Sequence, residues 1–172
     1  MNTHPLRLGL TAAGAALIFA GAAEARAQEL KLAAAADVAS GLDGGTYAGG
    51  VGIRRARTTL RLGVDAHVDE TPENSIAASL LLEIEPHAAV GVDVRYQRMF
   101  GHRIALDLGL SSLLAPATLF GAVAGATYRI PVAPRVMFTI GPAITGYFLG
   151  SDLPTGTIVW QVLVRGGVRV AF

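Results

Sequence analysis

Residues 156–172, GTIVWQVLVRGGVRVAF, alternate between apolar side chains and polar or small ones. Successive side chains of a β-strand point to opposite faces, so one face of this segment is apolar and the other carries two arginines. The apolar face carries Ile158, Trp160, Val162, Val164, Val168, Val170 and Phe172. The opposite face is dominated by Thr157, Gln161, Arg165, Gly167 and Arg169. This pattern predicts a β-strand that spans a membrane.

The same period of two recurs along most of the chain. Within residues 57–70, for example, Leu62 and Val64 alternate with Arg61 and Asp65. One such strand is also compatible with a soluble sandwich, but its repetition favours a barrel with an apolar outer face. The candidate strands are 29–40, 46–56, 57–70, 75–85, 88–100, 102–112, 118–130, 134–148 and 156–172. Turn residues predict connections at 41–45, 71–74, 85–87, 100–101, 114–117, 131–134 and 150–156.

This count is odd, whereas bacterial single-chain membrane barrels have an even number of strands. Three arrangements give an even number: the alanine-rich residues 29–40 lie partly outside the barrel, two segments form one strand, or Pro142 makes a bulge or break inside a strand. We favour eight strands, with ten as the alternative. The predicted fold class is all-β, a single closed antiparallel up-and-down transmembrane β-barrel.

The first residues have the organisation of a secretory signal peptide. A short basic start precedes the apolar run 8–23, which is shorter than a membrane-spanning helix, and Ala25 and Ala27 form an A-x-A cleavage site. We expect residues 1–27 to be removed and residues 28–172 to form one barrel domain. The leader takes two of the 14 Lys and Arg and one of the 13 Asp and Glu, so twelve of each sign remain. The chain has no cysteine, which excludes disulfides and thiolate metal sites.

The ending Val168, Val170 and Phe172 resembles the C-terminal targeting strand of bacterial outer-membrane β-barrels, where alternate apolar positions lead to a terminal Phe. Together with the A-x-A site, this resemblance implies the eight-stranded OmpA/OmpX-like architecture over the whole mature chain. It also implies the outer membrane of a Gram-negative bacterium, with outer-membrane lipid and the barrel-assembly machinery as partners. The oligomeric state is left open, with a monomer favoured. The dispersed, neutralised basic residues give no support to a nucleic-acid partner.

If the apolar faces meet lipid, the charged faces look inward, because a charge at mid-bilayer costs roughly 2 to 4 kcal/mol. A narrow interior then favours arginine–carboxylate pairs and a plugged lumen over an open pore. The predicted lumen charges are Arg61, Asp65, His67, Asp69, Glu83, Glu85, Asp93, Arg95, Arg103, Asp107, Arg129, Arg135, Arg165 and Arg169. Aromatic residues toward the strand ends are predicted to lie at the bilayer interface. These are Tyr47, Tyr96, Phe100, Tyr128, Tyr147, Phe148, Trp160 and Phe172.

The best catalytic constellation is Asp65, His67 and Asp69, which share one strand face and could set the tautomer and basicity of the imidazole. The lipid A deacylases use a His and a Ser two residues apart, and this chain has no His-x-Ser. Without a dense histidine cluster, neither a metal nor a cofactor is predicted. The constellation is therefore interpreted mainly as part of a structural network.

The favoured function is that of a small integral outer-membrane barrel with a plugged lumen, short loops and a structural or interaction role. Short loops weaken a role as an adhesin or receptor. Two alternatives stay open: a barrel-embedded lipid-modifying hydrolase or acyltransferase centred on His67, and a secreted soluble barrel that carries a small ligand. Enzymatic activity is the less favoured interpretation.

Overall fold

The computed structural model describes residues 32–47, 50–68, 73–85 and 87–172. Eight antiparallel strands form a closed barrel, in which each strand pairs with its neighbours in sequence and β8 closes on β1. The predicted closed barrel of eight strands is confirmed. The strands are β1 (Leu32–Tyr47), β2 (Gly50–His67), β3 (Asn74–Glu85), β4 (Ala89–Phe100), β5 (Ile104–Ala115), β6 (Leu119–Ala133), β7 (Val136–Gly150) and β8 (Ile158–Ala171).

The strand number falls from nine candidates to eight because segments 46–56 and 57–70 lie largely on one long strand, β2. The turn predicted at residues 41–45 is wrong, since β1 continues through these residues and pairs with β2 as far as Tyr47. The glycines of this segment leave space for neighbouring strands and side chains, and they do not form a turn. A Cβ atom at Gly44 would overlap the indole ring of Trp160 on the neighbouring strand.

Pro142 lies inside β7, which runs through it without a break. The β6–β7 register is the same on both sides, with Gly125 opposite Ala143 and Tyr128 opposite Ile140. The bulge predicted at Pro142 is therefore wrong. Proline removes one ladder donor but does not itself require an extra residue in the strand.

The connections are short at both ends of the barrel. At the lower end, where β1 begins and β8 ends, β2 leads into β3, residues 101–103 join β4 to β5, and residues 134–135 join β6 to β7. At the upper end β1 leads into β2 and β3 into β4, residues 116–118 join β5 to β6, and residues 151–157 join β7 to β8. Gly101 has φ 64° in one lower-end turn, a left-handed conformation that favours glycine.

The two faces of the sheet are opposite in character. Large apolar side chains are exposed on the outside of every strand, from Leu32 on β1 to Val170 on β8, whereas polar and charged side chains are buried inside. This arrangement is that of a membrane-spanning barrel, whose outer surface faces lipid. Among the described residues, no helix is long and apolar enough to cross a membrane, a finding that does not concern crossing by strands.

Candidate functional site

Charged side chains fill most of the barrel interior. In the described part of the chain, six arginines and six carboxylates point inward from the strands. We call these residues the lumen network: Asp37, Asp43, Arg57, Arg61, Asp65, Glu83, Asp93, Arg95, Asp107, Arg129, Arg165 and Arg169. Their formal charges balance. Their contacts form an upper, a middle and a lower level along the barrel.

The middle level is a continuous chain of ion pairs between β2, β4, β5 and β8. Arg61 Nε lies 3.0 Å from Asp93 Oδ2, and Arg95 Nη2 lies 2.5 Å from the same oxygen. Arg95 Nη1 is 3.5 Å from Asp107 Oδ2, and Arg165 Nη2 donates to Asp107 Oδ1 at 2.6 Å. The side chains of Asp93 and Asp107 are fully buried. Both carboxylates therefore depend on protein partners instead of bulk water.

At the upper level, Arg57 joins two carboxylates on different strands. Its Nη2 lies 2.8 Å from Asp43 Oδ2, and its Nη1 donates to Glu83 Oε2. Gln161 Nε2 donates to the other Glu83 oxygen at 3.0 Å. The guanidinium of Arg57 thereby links β1, β2 and β3, and the amide of Gln161 connects β8 to them.

At the lower level, Arg169 on β8 joins two carboxylates of β1 and β2. Its Nε donates to Asp65 Oδ2 at 2.7 Å, and its Nη1 donates to Asp37 Oδ1 at 3.2 Å and to Thr139 Oγ1 at 2.7 Å. Gly167 is the register partner of Asp37 in the β1–β8 ladder. A Cβ atom at Gly167 would overlap the Asp37 carboxylate. Glycine at this position leaves room for the ion pair.

The structure places nine of the predicted lumen residues inside the barrel and buries them. They are Arg61, Asp65, Glu83, Asp93, Arg95, Asp107, Arg129, Arg165 and Arg169. His67 also lies toward the inside and is half-buried. Asp69 lies outside the described residues, as do the leader and its cleavage site.

Three predicted lumen residues are exposed instead. Glu85 lies at the end of β3, Arg103 in the turn 101–103, and Arg135 in the turn 134–135. The strand period does not determine where the side chains of Arg103 and Arg135 point, because both lie in turns. Glu85 is the last paired residue of β3, and the β2–β3 register shifts beside it, between Thr58 and Thr59. Arg103 donates to the hydroxyl of Tyr128 at 3.0 Å, and this hydrogen bond raises the pKa of Arg103 above its ordinary value.

Sequence reasoning missed Asp37, Asp43 and Arg57 as members of the lumen network. Asp37 directly follows the alanine run 33–36, and Asp43 lies in the segment 41–45 that is predicted to be a turn. Their even separation along the chain places them on one face of a single strand. This signal identifies Asp37 and Asp43 from the sequence if residues 41–45 continue the strand.

The aromatic prediction is wrong for Tyr147. Its side chain is buried inside the barrel, where the hydroxyl lies 3.3 Å from Ser111 Oγ. It packs with Leu81, Ala89 and Leu113 in a small apolar cluster. Five other predicted aromatic residues are exposed on the outer surface. Trp160 is half-buried on the same surface. The side chain of Tyr47 lies outside the part of the chain that the structure describes. The exposed five are Tyr96, Phe100, Tyr128, Phe148 and Phe172.

A cavity of about 150 Å³ opens at the lower end of the lumen. Asp65, His67 and Ser75 are among the residues that line it. Ser75 is the register partner of His67 across the β2–β3 ladder. Ser75 Oγ donates to Gln97 Oε1 at 3.4 Å. No group of three or more possible metal ligands occurs among the described residues.

No protein-family model matches the chain, and no curated protein matches its sequence. Among solved structures, Neisserial surface protein A is 14% identical, with 82% of this chain and 97% of that chain covered and a TM-score of 0.50. Ail of Yersinia pestis, solved with the heparin analogue sucrose octasulfate, is 12% identical, with coverages of 81% and 99% and a TM-score of 0.52. The shared fold is that of the small outer-membrane β-barrels.

Proposed function

We propose that this chain is an integral protein of the outer membrane of a Gram-negative bacterium, with a sealed lumen and a structural or interaction role. The observation that supports this function is the chain of buried ion pairs through the middle of the lumen, from Arg61 to Arg165. Fully buried ion pairs occupy the space that a water-filled channel would need. Expected partners are outer-membrane lipid and the machinery that assembles barrels.

A planar lipid bilayer experiment tests whether the lumen is sealed. We expect the purified full-length protein to insert without producing discrete conductance steps, because ions would have to displace paired arginines and carboxylates. A porin inserted into the same bilayer is the positive control. Reproducible steps from this protein would contradict a sealed lumen.

Recovery of the native protein in the soluble periplasm without detergent would contradict an integral barrel.

A second candidate is a lipid-modifying hydrolase or acyltransferase centred on His67. The observation in its favour is the position of Ser75, which lies opposite His67 across the β2–β3 ladder. Ser75 also lines the same cavity as Asp65. Sequence spacing alone did not place Ser75 near His67. Two contacts weaken it: Ser75 donates to Gln97, and Arg169 holds the carboxylate of Asp65. A catalytic serine requires its hydroxyl to be directed to the base.

Mass spectrometry of lipid A separates this candidate from the structural role. Under the structural role, we expect cells that carry His67→Ala or Ser75→Ala to show the same lipid A profile as cells with the native protein. The strain that lacks the whole protein is the control. A change that is shared by the deletion strain and both variants would support the hydrolase.

The soluble ligand carrier receives no support from the arrangement of side chains. A soluble barrel that carries an apolar ligand needs an apolar interior and a polar exterior. This barrel has the reverse, with Leu108 and Leu110 exposed outside and Asp93 and Asp107 buried inside.

A further inference from the structure

Arg129 differs from the other arginines of the lumen network in having no carboxylate partner among the described residues. Its side chain is buried, at 8% exposed. Its Nη2 donates to Gln97 Oε1 at 3.1 Å, whereas its Nε is buried without a hydrogen-bond partner. A buried guanidinium with an unsatisfied N–H donor and no carboxylate in direct contact is costly, so the site favours a negatively charged acceptor beside it.

Arg129 lines the lower-end cavity, and two further arginines line it as well. Arg135 is exposed in the turn 134–135 and has no ion pair within the described ranges. Arg169 is already committed to Asp65 and Asp37. Asp65 is the carboxylate in the lining, and it shares Arg169 with Asp37. The three arginines of the lining therefore face the two carboxylates of Asp65 and Asp37, which leaves one positive charge in excess. Arg129 and Arg135 are the arginines of the cavity lining that make no ion pair with another described residue.

The size of the cavity restricts the ligand. Its volume of about 150 Å³ exceeds the roughly 10 to 15 Å³ that one water molecule needs by this measure. It is below the roughly 300 Å³ at which drug-sized ligand sites begin. An oxyanion such as phosphate fits this range, and guanidinium groups bind its oxygens through paired N–H donors.

We propose that the lower-end cavity binds a phosphate group through Arg129 and Arg135. The group is supplied either by free inorganic phosphate or by the headgroup of a phospholipid, which present the same oxygen chemistry. This inference goes beyond the proposed function, since a sealed lumen does not require a ligand. The two fail separately, because one is measured by conductance and the other by binding.

The test titrates inorganic phosphate into the full-length protein in nanodiscs without anionic lipid, with calorimetric detection and chloride at equal ionic strength as the reference. We expect saturable binding to one site. Arg129→Gln should weaken it about tenfold or more, as expected for a lost hydrogen bond from a charged group. Arg135→Ala should weaken it about two- to fivefold, a smaller effect because this side chain is exposed.

Arg103→Ala is the matched control, since Arg103 is an exposed arginine in another lower-end turn and does not line the cavity. Its phosphate affinity should equal that of the native protein. An equal loss in Arg103→Ala, or no binding above the chloride reference, overturns the proposal. If Arg129→Gln does not fold, native affinity in Arg135→Ala overturns it instead. Weaker phosphate binding in nanodiscs with phosphatidylglycerol identifies a headgroup as the source, and unchanged binding identifies free phosphate.

Discussion

Replacement of Arg165 with methionine is expected to lower the free energy of unfolding by about 3 to 5 kcal/mol. The substitution removes the 2.6 Å contact to Asp107, whose carboxylate is fully buried, and leaves it with Arg95 at 3.5 Å. A buried carboxylate that loses the nearer of its two arginines cannot recover the lost interaction from water. Urea unfolding in lipid vesicles measures the effect, with the fluorescence of Trp160, the only tryptophan of the chain, as the reporter.

Two further variants make this result specific. Arg103→Met removes an exposed arginine from a turn and should change stability by less than about 0.5 kcal/mol. Arg165→Met combined with Asp107→Leu replaces both charges by apolar groups and should recover most of the loss, because apolar replacements of a whole buried pair are often neutral. Native stability of the single Arg165→Met variant would show that this ion pair does not stabilise the barrel.

Replacement of Leu110 with arginine is expected to lower the free energy of unfolding in a bilayer by about 2 to 4 kcal/mol. Leu110 lies near the middle of β5 and its side chain is 70% exposed on the outer face. An arginine there would enter the hydrocarbon region. The same vesicle unfolding assay measures the loss.

Val132 provides the matched control for depth in the bilayer. It is 57% exposed on the outer face but lies at the lower end of β6. Val132→Arg should cost only about 0 to 1 kcal/mol, because the charge reaches the interface. Equal losses in the free energy of unfolding at the two positions would contradict an outer face that spans a bilayer. Such a result would instead support the soluble barrel.

Most of the fold could be predicted from the alternation of side chains. The period of two in residues 156–172 assigns Arg165 and Arg169 to the inner face, and the structure buries both. The same alternation assigns Tyr147 to the inner face, because it lies two residues from the inward-facing Thr145. The prediction for Tyr147 is wrong because it follows from the residue type, an aromatic side chain near a strand end, and not from the alternation along the strand.

The sequence by itself determined which residues share a face of each strand, because strand geometry sends alternate side chains to opposite sides. Only the tertiary structure decided which charges meet. Arg169 pairs with Asp37 across the seam where β8 closes on β1, and Ser75 lies opposite His67 through the β2–β3 register. A local period carries no information about how far neighbouring strands are shifted. That shift follows from closure of the whole barrel, which sets the register of every pair at once.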